Sequence, residues 1–154
     1  MRAVLQRVDR AAVSVDGVTV GECGYGMLIL LGVNMKDTET DADILCDKIA
    51  KLRIFSDDAG RLNLSLGDID GEALVVSNFT LYANYTHGNR PDYLSSAAPE
   101  KANALYRRFV ERLSGKLRHV GEGRFGEHML IDMRANGPGT IVMDSEILRG
   151  GKKK

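Results

Sequence analysis

Cysteine is scarce in this chain. Only Cys23 and Cys46 occur, 23 positions apart, with no CxxC pair and no clustered histidines beside them. That leaves a metal or redox role unsupported, and both are expected to be small, partly buried residues. Net charge is missing too: 21 basic residues face 21 acidic ones, so any polyanion contact has to come from a local patch. Long apolar runs are absent. The longest, "MLILLGV", is far too short to span a bilayer. The opening "MRAVLQRVDRAAVSV" has no signal-peptide core, and the expected location is cytoplasmic. No internal repeat or linker divides the sequence, so residues 1–148 are expected to form one domain and the tail "RGGKKK", 149–154, to be disordered. What remains is 44% hydrophobic and 27% charged, ordinary for a soluble globular protein. At 154 residues, a chain can bury roughly 70% of its unfolded surface.

The patterns present alternate in type. "RAVLQRV" and "AAVSV" have strand character, Asp16-Gly17 suits a two-residue turn, and "VTVGE" returns. "GMLILLGV" predicts a strand buried on both faces. Thr38, with Asp41 three positions later, opens a helix whose inner face is Ala42, Leu45, Ile49 and Leu52. "RIFSDDAGRLNLS" predicts a strand, a turn and a return, and "ALVVSNFTLYA" is the strongest strand signal. Pro99 starts a second helix with Ala102, Leu105, Phe109 and Leu113 on one face and Gly115 as its cap. "LRHV", "HMLIDM" and "TIVMD" are the last strands. The expected class is α+β, with a mainly antiparallel sheet and two principal helices.

Several motifs invite chemistry and fail. "GEGRFG" matches G-x-G-x-x-G, but "EHMLIDM" after it alternates like a strand, so no helix N-terminus awaits a pyrophosphate. His87 lies in a polar loop, His119 and His128 fall in expected strands, and no serine occupies a G-x-S-x-G elbow. No histidine pair has helical spacing for zinc. Lys101, Arg108, Arg112 and Lys116 form a basic stripe on the second helix, which suits phosphates or, more commonly, a solvated face paired with acids.

Two stretches stand out. In "SNFTL" a strand would put Asn78 and Thr80 on one face and Ser77, Phe79 and Leu81 on the other. An amide and a hydroxyl together can hold a substrate and orient a water, although a half-buried strand with a polar outer face has the same pattern. "ANGPGT", between two apolar runs, carries far more rigidity than a turn needs, because Pro138 fixes its own φ and restricts Gly137.

"MRAVLQRV", "LRIFSDDAGRLNLSL", "VSNFTLYA", "GNRPDY", "LYRRFV", "GRFGEHM" and "NGPGTIVMDS" together closely resemble the D-aminoacyl-tRNA deacylases, also called D-tyrosyl-tRNA deacylases. The resemblance runs in order from Met1 to about Ser145. The family's signatures are a Ser-Gln-Phe-Thr-Leu strand and an Asn-x-Gly-Pro-x-Thr turn. This chain has Asn78 in place of the glutamine, Ala135 in place of the first asparagine, and Gly139 where a bulkier residue is usual.

The resemblance implies a barrel-like sheet with the helices outside, and a homodimer with active sites at the subunit interface. It implies a cis Gly137–Pro138 bond in a turn that reaches the partner's site as a chiral gate. It also implies hydrolysis of the ester joining a D-amino acid, or mischarged glycine, to the tRNA 3′ end, with no metal or organic cofactor. Ser77, Asn78, Phe79, Gly137 and Pro138 are then the expected substrate-binding residues, and Thr80 the expected catalytic one. A gate made of main chain suits such chemistry: it rejects one configuration at Cα while tolerating many side chains, and it cannot reject glycine. Two other classes fit the residues, an RNA- or DNA-binding module using the basic helix and a structural dimer with a vestigial site.

Overall fold

Alternating apolar and polar residues build one long strand, β1 (Arg2–Val15), in the computed structural model, which describes residues 1–150. The Asp16-Gly17 turn has both φ values positive, 49° and 79°, and returns the chain as β2 (Val18–Cys23). β3 (Gly26–Gly32) pairs with the first half of β1, residues 2–8, while β2 pairs with residues 11–15 of the same edge. The opposite edge of β1 is taken along nearly its whole length by β8 (Leu130–Asp144). β6 (Glu72–Ser77) lies beside β3, and β7 (Val120–Glu122) beside β6.

The sheet is mixed: β1 pairs antiparallel with β2, β3 and β8, and parallel pairing begins beyond β3. β3 with β6 and β6 with β7 are parallel pairs. Each needs a long crossover, which local hairpin signals do not announce. The first crossover contains α1 (Glu39–Ala50) and a small hairpin, β4 (Phe55–Ser56) with β5 (Leu62–Leu64); the second contains α2 (Pro99–Ser114). A third helix, α3 (Ser145–Gly150), was not expected. It takes up Arg149 and Gly150, the first residues of the expected disordered tail; 151–154 lie outside the described residues.

The barrel nearly closes where β2 meets β7. A Cβ on Gly21 would sit 3.0 Å from Glu122 N, and one on Gly121 would sit 2.9 Å from Glu22 N. Only glycine on both strands permits that approach. His119 adds a hydrogen bond from Nε2 to Glu22 O, 2.8 Å. Gly121, first residue of the false dinucleotide motif, therefore serves strand packing, and no helix follows it. His119 and His128 were expected inside strands; they lie just before β7 and β8 instead.

β3 and β6 are buried on both faces, as a continuous apolar run requires. Met27, Ile29, Leu31, Ala73 and Val75 join Ala3 and Leu5 under Leu45, Ile49, Phe109 and Leu113 of the helices. Leu28, Leu74 and Val76 face the other way and fill the barrel with Val8, Ala11, Val13 and Cys23. Burying each large side chain in these layers contributes about 1.5–3 kcal/mol.

Polar groups lock the edges. Thr38 N donates to Asp41 Oδ2 at 2.9 Å at the start of α1, and Pro99 occupies the first turn of α2. The amine of Met1 is buried against Asp37, 2.6 Å, and Ser145, whose hydroxyl donates to Asp41 Oδ1 at 2.7 Å. Burial pushes the Asp41 carboxyl up, but hydrogen bonds from Ser145 and Thr38 outweigh it and leave it below its ordinary value. Arg149 Nε, 3.1 Å from Asp41, anchors α3 to the same group.

The expected basic stripe is spent mostly on α1, and its last member, Lys116, falls in the turn after α2. Arg108 forks onto Asp43 with two bonds of 2.8 Å and also reaches Glu39, 3.1 Å away. Arg112 forks onto Asp47 at 2.9 and 2.7 Å, Lys116 lies 3.2 Å from Asp47, and Lys101 donates to Met35 O at 2.7 Å. The hydrogen bonds from Arg108 and Arg112 hold the Asp43 and Asp47 carboxyls below their ordinary values, Asp47 at about 2. Carboxyls depressed in this way stabilise the folded state above the ordinary carboxylate range, and that contribution disappears as pH falls toward about 2. Replacing Arg108 and Arg112 together by glutamine is therefore expected to lower the urea midpoint at pH 7. The midpoints of variant and parent should converge as pH drops through that window. The salt dependence of any polyanion binding should not change, because these guanidinium groups already have partners. A flatter salt slope in the variant would return the stripe to phosphate contacts.

Candidate active site

β6 stops at Ser77, and the expected strand through Asn78 and Thr80 is not formed. Asn78 gives its own N–H to Leu31 O, 2.8 Å, the last bond of that edge. Its side chain then takes over: Oδ1 accepts the Thr80 N–H at 3.2 Å, and Phe79–Tyr82 wind into a single 3-10 turn. A side-chain acceptor competing with the ladder is enough to end a strand. Asn78 and Thr80 do come together, as cap and capped residue rather than as neighbours on a strand face.

That geometry fixes the proton inventory. Because a backbone N–H points at it, the Asn78 atom facing Thr80 has to be the oxygen. The Thr80 hydroxyl, which bonds to the same oxygen, must therefore donate its hydrogen there. Its lone pairs face outward, able to accept from a water, and the Asn78 Nδ2 group is left as a donor. Thr80 is thus set up to orient a water rather than to attack. Leu81 N is taken by Asn78 O at 3.4 Å, so of the backbone amides from Asn78 to Leu81, Phe79 N–H is the one with no partner among the described residues.

Beside this turn lies a cavity of about 490 Å³, mostly apolar, whose walls include Ser77, Asn78, Phe79, Tyr93, Phe125 and Met129. Phe79 is 60% exposed and meets Tyr93 edge-on, centroids 5.1 Å apart. Ser96 Oγ steadies the turn by donating to Phe79 O, 3.1 Å. Thr80 is exposed and does not itself line the cavity. Tyr93, Phe125 and Met129 were not among the expected site residues; the loops carrying "GNRPDY" and "GRFGEHM" held the signal. Across the Val33–Asn34 and Ser95–Ser96 segments is a second cavity, about 530 Å³. Its Arg2, Lys36 and Arg149 are balanced by Asp37, Asp144 and Glu146, so it exerts little pull on a polyanion.

Residues 135–140 do not reverse the chain. They form an excursion within β8: pairing runs Val8↔Ala135 and resumes at Gln6↔Thr140, so β8 takes five steps where β1 takes two. The Gly137–Pro138 bond is cis, and Gly137 has φ +122°. β1 grips the excursion. Arg7 Nε donates to Asn136 O at 3.0 Å while its Nη1 reaches Ile54 O at 2.9 Å. Thr140 Oγ1 donates to Gln6 Oε1 at 2.6 Å, and Asn136 Nδ2 to Asp9 Oδ1 at 2.6 Å. Gly137 and Pro138 are exposed and line neither cavity, so within one chain the structure does not bring them to Ser77, Asn78, Phe79 and Thr80.

Other nucleophiles are disarmed. Burial pushes the Cys23 thiol up to about 11 and Cys46 to about 12. The Tyr106 phenol, also raised by burial, donates to Val75 O at 2.9 Å. Among the described residues, no three His, Cys, Asp or Glu side chains gather as a metal site, and no helix is long and apolar enough to cross a membrane.

Comparison with known proteins agrees with this architecture. The family model described as D-Tyr-tRNA(Tyr) deacylase matches residues 4–144. A D-aminoacyl-tRNA deacylase of Caldicellulosiruptor saccharolyticus is 53% identical over 146 residues, 95% of this chain and 98% of the relative. Another, of Dictyoglomus turgidum, is 46% identical over 154 residues, covering 100% and 99%. Among solved structures, a c-Myc DNA unwinding element binding protein superimposes with a TM-score of 0.88 at 36% identity, covering 94% of this chain and 98% of that one. A probable eukaryotic D-amino acid tRNA deacylase shares the fold, with a TM-score of 0.80 at 18% identity and coverage of 93% and 98%. With matches that span nearly its whole length, the chain belongs to the D-Tyr-tRNA(Tyr) deacylase family, a family of hydrolases.

Proposed function

We propose that this protein hydrolyses the ester linking a D-amino acid to the 3′ end of tRNA, and does the same to mischarged glycyl-tRNA, in the cytoplasm. The full-length match to D-aminoacyl-tRNA deacylases carries the reading. The enzyme works as a homodimer in which each Gly137–Pro138 turn enters the partner's Ser77–Thr80 site. Two observations support that arrangement: the turn is exposed and lines neither of its own chain's cavities, and β8 leaves Leu130, Met133 and Val142 uncovered at 63%, 49% and 67% exposure.

In this reading, the terminal adenosine enters the apolar cavity beside Phe79 and Tyr93. Thr80 Oγ1 accepts from the attacking water and aims its oxygen at the carbonyl carbon. Phe79 N–H and Asn78 Nδ2 donate to the oxyanion as it develops. The bond to the ribose oxygen then breaks: the neighbouring ribose hydroxyl gives its proton to that leaving oxygen and takes the one the attacking water loses, so the hydroxyl is regenerated. No side chain changes charge, and no metal is required.

Purified protein is expected to release D-tyrosine from D-tyrosyl-tRNA, to leave L-tyrosyl-tRNA intact, and to keep its full rate after exhaustive dialysis against EDTA. Binding without turnover would favour a nucleic-acid-binding module, which the name of one structural relative brings to mind. Loss of turnover that zinc restores would overturn the metal-free mechanism.

A further inference from the structure

We propose that Asp9 is a positioning residue for the Gly137–Pro138 turn, acting through Asn136. The proposal rests on the deacylase reading above and concerns how this chain holds its gate. Asp9 is the extra residue of a bulge: β1 advances from Val8 to Arg10 while its partners on β8 move only from Ala135 to Arg134. Bulges re-aim side chains, and here the re-aimed carboxylate bridges the entrance of the excursion. One oxygen accepts from Asn136 Nδ2 at 2.6 Å and the other lies 3.2 Å from Arg134 Nε.

Asn136 directly precedes Gly137 and is held at two points. Arg7 fixes its carbonyl, and Asp9 fixes its side chain. With one anchor the peptide could still swing about the other; with both, the direction in which the chain enters Gly137 is set. Ala135 carries no polar group, and Asn136, the next residue, presents the amide that Asp9 receives.

The test is a reciprocal exchange read on selectivity. Asn136→Asp puts two carboxylates face to face and is expected to lower the D-to-L rate ratio on tyrosyl-tRNA by roughly ten-fold, whereas Asp9→Asn with Asn136→Asp restores an amide–carboxylate bond and should bring the ratio back within about three-fold of the parent. A purely structural role would instead track the melting temperature. The side-chain amide protons of Asn136, followed by NMR, should show slowed exchange in the parent and lose it in Asp9→Ala. That signal does not depend on activity. An undiminished ratio in Asn136→Asp, no recovery in the double variant, or unprotected amide protons in the parent would each overturn the proposal. A parent that cleaves no D-tyrosyl-tRNA but protects those protons would overturn the selectivity role and the deacylase reading together, leaving Asp9 a structural clamp.

Discussion

Gly137→Val is expected to collapse the D-to-L rate ratio by roughly a hundred-fold or more, the scale on which small misplacements act in a positioned site. The backbone there has φ +122°, a region closed to a β-branched residue. A Cβ would also lie 2.6 Å from both Arg7 Nη2 and Gly139 N. Arg7 cannot yield without loosening its bonds to Asn136 O and Ile54 O, so the turn itself has to move. The layers beneath are made by other residues, Leu5 and Ala3 on β1 and Ile141 and Met143 on β8, and the variant should still fold. Single-turnover rates on D- and L-tyrosyl-tRNA read the outcome. A folded variant with an unaltered ratio would remove the turn from chiral selection; loss of D-cleavage as well would mean the turn also places the ester.

Thr80→Val should slow deacylation by roughly ten- to a thousand-fold with little change in melting temperature. Valine keeps the shape and deletes the oxygen, and Thr80 is exposed, so the core does not register the change. The Thr80 N–H can still bond to Asn78, which preserves the 3-10 turn. A parental rate would transfer the chemistry to backbone donors and the RNA. The pair of variants also tests the gate's address. In the proposed homodimer, co-expressed Gly137→Val and Thr80→Val chains would form mixed dimers, each with one site that has an intact Thr80 from one chain and an intact turn from the other. Selective activity at roughly a quarter of parental sites is expected, since half of randomly assembled dimers are mixed. No complementation would put the turn at its own chain's site.

The parts of the fold that were legible in sequence are those decided locally. The continuous apolar run of β3, the Asp16-Gly17 turn, the Thr38–Asp41 start of α1 and the Pro99 start of α2 all depend on residues within a few positions of one another. Parallel pairing of β3, β6 and β7 depends on where helices return the chain, which no short window contains. "NFTLYA" has strong strand preference, and one side-chain bond from Asn78 overrides it. The fate of the basic stripe was readable in hindsight: Glu39, Asp43 and Asp47 repeat every four residues on α1, matching Arg108 and Arg112 on α2 and Lys116 just past its end. At the site, the resemblance pointed to Ser77, Asn78, Phe79, Thr80, Gly137 and Pro138. The grip of Gln6, Arg7 and Asp9 on the turn was invisible, because half-buried polar residues on a strand look like any solvent face until their partner is known.

The excursion in β8 has an evolutionary consequence. Ladder pairs bracket it on both sides, at Ala135 and Thr140, so the strand leaves the ladder and rejoins it within six residues, with three more residues on β8 than on β1. Drift in those residues is absorbed between two fixed points and is not transmitted to the barrel. The stretch can therefore depart from the family signature, as here at Ala135 and Gly139, on the same scaffold. Compensation is needed only from the few β1 side chains that touch it, so under the proposed gate stereochemical stringency would be a trait able to change almost independently of foldedness.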